Sequence, residues 1–310
     1  MHSDQQLRIV VTGRNGQVAR ALKELASDLG VNVVTLGRPE FDLAATREDL
    51  VATVKSLRPD VIVNAAAYTA VDKAETERDV ALSVNADGAG RVAEAAATLG
   101  VPIVQLSTDY VFDGAAATPY KECHPTAPIN FYGVSKLAGE AAVRAATANH
   151  VILRTSWVYA PFGQNFVLTM LRLGAERPEL AVVNDQHGAP TSAFDIAGSI
   201  VTIAKRLVDS PEDPSIRGVF HMANAGETNW AEFATEIFRL SANEGRRFAR
   251  VRPIPTSEYP TPAARPKSSR LDLTKLGEVF GIHPQHWKDA LRETLRRLPV
   301  VEMPRKEQAQ

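Results

Sequence analysis

Val10-Val11-Thr12-Gly13-Arg14-Asn15-Gly16-Gln17-Val18-Ala19 passes from a β-branched run directly into a segment of helical period. A run apolar on both sides reads as a strand buried on both faces, as in a parallel sheet. Gly13 permits a tight turn, Gly16 lets a backbone approach a pyrophosphate, and small Ala19 lets the helix pack close to the sheet. The helix N-terminus offers free N–H groups and a partial positive charge to phosphates. Taken alone, the pattern also fits an ordinary strand-to-helix turn. Its place on the first strand of an alternating chain favours a dinucleotide cradle.

Outward from this turn, short β-branched runs at 8–12, 32–36, 61–64, 102–107 and 151–154 alternate with Ala/Leu-rich helical segments at 17–29, 47–57, 80–99 and 132–148. That order predicts an α/β fold, a Rossmann-like doubly wound parallel sheet covered by helices. After Trp157 the alternation loosens and Pro and Gly become frequent, as in Arg177-Pro178 and Gly188-Ala189-Pro190. Helices are expected there at 166–173, 195–207, 230–240 and 287–298. The expected division is an NAD(P)-binding domain over 1–156, a smaller C-terminal α/β substrate lobe over 157–298 with segments that cross back, and a polar tail over 299–310.

Composition narrows the partners. The 35 basic and 36 acidic residues leave a formal net charge of −1, which gives no field to attract nucleic acid or an anionic membrane. Cys123 is the single cysteine, so no intrachain disulfide and no thiolate-rich metal site is expected. The polar start lacks the apolar core of a signal peptide, and charged or polar residues interrupt every apolar run. The cytoplasm is the expected compartment.

The second strand ends Thr35-Leu36-Gly37-Arg38, without the acidic residue that often binds the adenosine ribose in NAD enzymes. Arg38 and Arg14 are placed to clamp a 2′-phosphate by charge-assisted hydrogen bonds, although both also read as solvated surface arginines. NADPH is the expected cofactor, with NADH the alternative. Tyr132-Gly133-Val134-Ser135-Lys136 opens a helix with Tyr132 and Lys136 on one face. A neighbouring ammonium is expected to lower the phenol pKa from about 10 and fit it for acid–base work in hydride chemistry. Such a pair is common on helices. Leu106-Ser107-Thr108-Asp109-Tyr110, after the fourth strand, strengthens it, because open α/β sheets bind ligands at strand C-terminal ends. Thr108 is a candidate to hydrogen-bond the reacting carbonyl, and equally a turn hydroxyl; Asp109 reads as a turn or cap carboxylate. Asn85 reads as a group near Lys136 or as a helix cap.

At these residues the chain resembles the extended short-chain dehydrogenase/reductase superfamily, and within it the dTDP-4-dehydrorhamnose reductase family. The resemblance runs from Gly13 to Trp287. Its selective marks are the run from Val61 through Asn64-Ala65-Ala66-Ala67-Tyr68-Thr69 to Glu75, then Ser107-Thr108-Asp109-Tyr110-Val111-Phe112, Arg154-Thr155-Ser156-Trp157-Val158-Tyr159, Asn184-Asp185-Gln186-His187-Gly188-Ala189-Pro190-Thr191 and Arg265-Pro266. The resemblance implies NADPH-dependent reduction of the C4 ketone of dTDP-4-dehydro-L-rhamnose to dTDP-L-rhamnose, for surface polysaccharide. It implies a catalytic set of Thr108, Tyr132 and Lys136. Gly13, Arg14, Asn15, Gly16, Gln17 and Val18 would meet the cofactor, Gly16 to Val18 at its diphosphate. Asp42 and Leu43 would lie beside the adenine, and Ala65, Ala66, Ala67, Tyr68 and Thr69 along the cofactor channel. Thr108, Asp109 and Trp157 would face the sugar. Some family members dimerise through magnesium-binding acids; this chain carries Ala21 and Phe194 there, which implies no metal and a monomer or a metal-independent dimer. Related dehydratases carry a glutamate where this chain has Tyr110, which favours reduction over elimination. A non-catalytic regulatory subunit, like that of methionine adenosyltransferase, is the alternative reading.

Overall fold

The computed structural model describes residues 6–43 and 45–299, so the expected tail beyond Pro299 and the first five residues lie outside the described residues. Six strands form one parallel sheet: β1 Leu7–Thr12, β2 Val31–Leu36, β3 Val61–Asn64, β4 Ile103–Thr108, β5 His150–Thr155 and β6 Gly218–His221, in the order β6-β5-β4-β3-β1-β2. Alternate side chains divide between two cores. Ile9, Val11, Val61, Val63, Val104 and Leu153 fall on one face; Val10, Ile62, Ile103 and Ile152 fall on the other. Both faces are covered, which is why the middles of these strands are mostly apolar and their polar residues gather near the strand ends. The result is the Rossmann-like α/β architecture expected from the alternation.

Helix α1, Gln17–Leu25, packs Val18, Ala19, Ala21 and Leu22 into the first core. It ends four residues before the expected position, and Gly30 at φ 64° turns the chain into β2. Helices α2 Arg47–Ser56, α3 Ala89–Leu99 and α4 Phe131–Ala146 line the second core through Leu50, Val54, Val92, Ala96 and Val143. The single helix expected over 80–99 is instead interrupted by a π-helical turn at Ser83–Gly88. There the Asn85 carbonyl presses on the Cα of Gly139 in α4, where any side chain would collide with it.

The C-terminal half does not stay apart. Helix α5, Ala193–Asp209, packs against α1 with Ile196, Ala197 and Ile200 in the first core, and β6 extends the main sheet beside β5. The sixth strand escapes sequence reading because its four residues, Gly-Val-Phe-His, make too short an apolar run. A separate core gathers Tyr159, Val167, Leu180, Phe233, Ile237, Trp287 and Leu291 under a two-stranded parallel pair, Glu179–Val183 with Arg250–Ile254. Among the described residues no helix is long and apolar enough to cross a membrane.

Candidate active site

The chain leaves β1 for β2 on one side and returns to β3 on the other, so a crevice opens at the strand C-terminal ends where the order reverses. The glycine turn occupies that edge. Gly13 has φ 86°, and a Cβ there would lie 2.9 Å from Ala66 N; at Gly16 it would lie 3.1 Å from Gly13 O. Gly16 is the N-cap of α1 and makes no side-chain cap bond. The first N–H groups of α1 thus receive no side-chain cap from Gly16, as suits an anion-binding helix start. These features fit the diphosphate of a dinucleotide. Ala65, Ala66, Ala67, Tyr68 and Thr69 follow β3 alongside; Leu43 is buried behind the π-helical turn, and Asp42 is exposed at the rim.

Beneath this crevice runs a polar chain that sequence reading missed. Thr12 Oγ1 donates to Asn64 Oδ1, Asn64 Nδ2 donates to Gln105 Oε1 at 2.7 Å, and Gln105 Nε2 donates to Leu106 O at 2.8 Å. Lys136 Nζ donates to the same Leu106 O at 2.7 Å. Thr12, Asn64 and Gln105 belong to three neighbouring strands, so only the sheet register reveals that they touch. One turn along α4 from Lys136, Glu140 is buried and accepts two bonds from Arg154, at 2.8 and 2.7 Å, and one from Ser107 at 2.6 Å.

The expected catalytic residues converge. Asn130 caps α4, its Oδ1 accepting from Gly133 N at 2.8 Å, which sets Tyr132 at the mouth of the helix. The Thr108 hydroxyl accepts from Tyr110 N at 3.2 Å and donates to Asp109 Oδ1 at 3.0 Å, and it lies close enough to the Tyr132 phenol to act against the rise in its pKa. Its turn role and its site role therefore coexist. The Tyr110 ring meets the Tyr132 ring edge-on at 5.8 Å.

Two expectations are corrected. Lys136 does not hold the Tyr132 phenol down: its ammonium is turned to Leu106 O, and the phenol is pushed up, first by burial and then by the Asp109 carboxylate. Burial lowers Lys136 itself to about 8, against the raising effect of Glu140. Asn85 does not cap a helix; it lies near Lys136, bonded to the adjoining Ser135. Its side chain brackets Tyr68, accepting from Tyr68 N at 2.8 Å and donating to Tyr68 O at 3.0 Å, and it donates to Ser135 Oγ at 2.9 Å. It ties the channel after β3 to the helix carrying Tyr132. Asp109 opens the turn after β4 as expected, but it is 3% exposed, and its Oδ2 has no hydrogen-bond partner. Burial raises its pKa to about 7, opposed by hydrogen bonds from Ser269 and Thr108.

Ser269 comes from a strap of the C-terminal half laid across the site. Asn130 Nδ2 donates to Ala264 O at 2.8 Å, Arg265 Nη2 pairs with Asp72 Oδ1 at 2.9 Å, and Ser268 N donates to Gly114 O at 3.1 Å. The strap meets Gly188, where a Cβ would lie 2.8 Å from Ser269 Oγ and 2.7 Å from Trp157 Cε2. Trp157 thus stands beside Gly188 at the strap. It holds φ 47°, an unfavourable value for an aromatic residue, and stacks on Trp230 with ring centroids 3.5 Å apart. Trp230 donates Nε1 to Gln186 Oε1 at 3.2 Å. Sequence reading gave Trp230 only a helix position.

At the other rim, Arg14 Nη2 pairs with Glu40 Oε2 at 2.9 Å, while Arg38 is exposed. The acid missing immediately after β2 is thus supplied three residues later. Ala21, which stands where some family members carry a metal-binding acid, is wholly buried under α5, and Phe194 is half-buried beneath the Arg297 guanidinium at 4.0 Å.

The RmlD substrate binding domain family matches over residues 7–300. A dTDP-4-dehydrorhamnose reductase of Sinorhizobium fredii is 51% identical over 286 residues, covering 92% of this chain and 96% of the relative. The structure of a dTDP-4-dehydrorhamnose reductase from Clostridium acetobutylicum superimposes with a TM-score of 0.85 at 38% identity, covering 94% of this chain and 99% of the other. That of the Bacillus anthracis enzyme, in complex with NADP, does so with a TM-score of 0.85 at 37% identity and the same coverage. With this fold, this cradle and these relatives, the chain belongs to the dTDP-4-dehydrorhamnose reductase family of extended short-chain dehydrogenases/reductases.

Proposed function

We propose that the protein reduces the C4 ketone of dTDP-4-dehydro-L-rhamnose to dTDP-L-rhamnose with NADPH, and that Thr108, Tyr132 and Lys136 carry the chemistry. The meeting of the Thr108 hydroxyl and the Tyr132 phenol at the C-terminal end of β4 carries this reading. Reduced nicotinamide supplies the hydride to C4 when bound. Tyr132 donates its phenolic proton to the ketone oxygen as negative charge develops there. Burial and Asp109 both keep that proton on the phenol at rest, which suits an acid in the reducing direction. Thr108 orients the carbonyl by donating to its oxygen. Lys136, held by Leu106 O, is the group that would meet the nicotinamide ribose.

The diphosphate of the cofactor belongs at Gly16, Gln17 and Val18, its adenine beside Asp42 and Leu43, and its channel along residues 65–69. Trp157 supplies a flat apolar wall for the deoxysugar. In this reading residues 1–156 mainly bind the cofactor and 157–298 mainly the sugar nucleotide, in a cytoplasmic enzyme that needs no metal and acts as a monomer or a metal-independent dimer. Incubating the purified protein with NADPH and dTDP-4-dehydro-L-rhamnose tests this, with Tyr132→Phe as the comparison. Formation of dTDP-L-rhamnose with kcat about 100-fold lower in the variant is expected. Absence of turnover, or near-equal turnover by the variant, refutes it.

A further inference from the structure

Where β2 ends, Phe41 N donates to Gly37 O at 3.1 Å and closes a turn whose Phe41 ring is buried with Leu36 and Leu43. Glu40 directly precedes this anchor, so its backbone is fixed at the rim. Opposite it, Arg14 N donates to Leu36 O at 2.9 Å, and Gly37 leaves room for the Arg14 side chain; a Cβ at 37 would lie 2.8 Å from Arg14 Cβ. The two side chains pair at 2.9 Å while remaining 39% and 61% exposed. A pair so open to water contributes little to stability. Its position is the informative feature, because the end of this strand is where the adenosine ribose of a dinucleotide is read, by an acid for a 2′-hydroxyl or an arginine for a 2′-phosphate. Here one of each is present, bonded to each other.

We propose that Glu40 is a specificity-determining residue that holds Arg14 in the free protein, so that NADPH must displace its carboxylate while NADH need not. The inference rests on the assignment of the glycine turn and the end of β2 to the dinucleotide. A 2′-phosphate taking the Arg14 guanidinium becomes the neighbour of the released carboxylate, and the two anions repel. A 2′-hydroxyl meets neither cost and can donate to Glu40. Glu40 therefore narrows the advantage that Arg14 gives NADPH.

Calorimetric Kd values for NADPH and NADH with the wild type, Glu40→Gln and Arg14→Ala test this without requiring turnover. Glu40→Gln is expected to tighten NADPH by about fivefold, the upper range for an exposed ion pair, and to leave NADH unchanged or slightly weaker. The gain is expected to shrink in about 0.5 M salt, where screening acts over only a few ångströms. If Arg14→Ala weakens NADPH but Glu40→Gln leaves the preference for NADPH over NADH unchanged or reduces it, the inference is overturned and the cofactor reading survives. If neither substitution moves the ratio, the placement of the adenosine ribose beside Arg14 is itself wrong.

Discussion

Replacing Asp109 by Asn removes a titration whose cost the structure sets. The carboxyl is buried, one oxygen has no partner, and its pKa rises from 3.8 to about 7 because burial outweighs the bonds from Ser269 and Thr108. A raised acid pKa means that the folded state holds the proton more tightly than the unfolded chain. The group costs nothing below its unfolded pKa, and stability falls as pH rises from there until the folded pKa is passed. At about 1.4 kcal/mol per unit, the full penalty above neutrality is about 4 kcal/mol. Between about pH 5.5 and about pH 8.5, wild type is expected to lose about 2 kcal/mol relative to Asp109→Asn, which retains an acceptor for Thr108. Urea unfolding followed by tryptophan fluorescence, run on both proteins across that range, reads this difference directly. All other titrating groups cancel in it to first order. A flat difference would mean that Asp109 ionises as a solvated carboxylate, and the reasoning from its burial would fail.

Arg154→Met leaves the buried Glu140 carboxylate without its bidentate partner, and should cost about 3–5 kcal/mol in denaturant unfolding near neutral pH. Trp230→Ala removes the ring stacked on Trp157; KM for the sugar nucleotide should rise about three- to tenfold, with NADPH affinity unchanged and most of the loss recovered in Trp230→Phe. Equal effects on both ligands would count against Trp157 as a wall for the sugar. Since Ala21 is buried and Phe194 is apolar, oligomeric mass and turnover should be the same with added magnesium as with excess EDTA. A dimer that dissociates in EDTA would contradict this.

The sheet and the cradle were legible in the chain because they depend on local rules. A strand buried on both faces has to be largely apolar, and a backbone that approaches phosphate favours glycine, so β1 through β5 and Gly13-Arg14-Asn15-Gly16 declare themselves. Tyr132 and Lys136 declare themselves through helical spacing, and the family motifs pick out Thr108, Asp109 and Trp157. Tertiary structure decided the state of those groups, because charge and solvation depend on neighbours distant in sequence. It turned Lys136 toward Leu106 O, closed Ser269 over Asp109 from 160 residues away, and placed Asn85 across Tyr68 by inserting a π-helical turn against Gly139. It also paired Glu40 with Arg14 across the end of β2. Periodicity records which face of an element is buried, but not which polar atoms meet there; that depends on the register between strands and on loops crossing from the other half of the molecule.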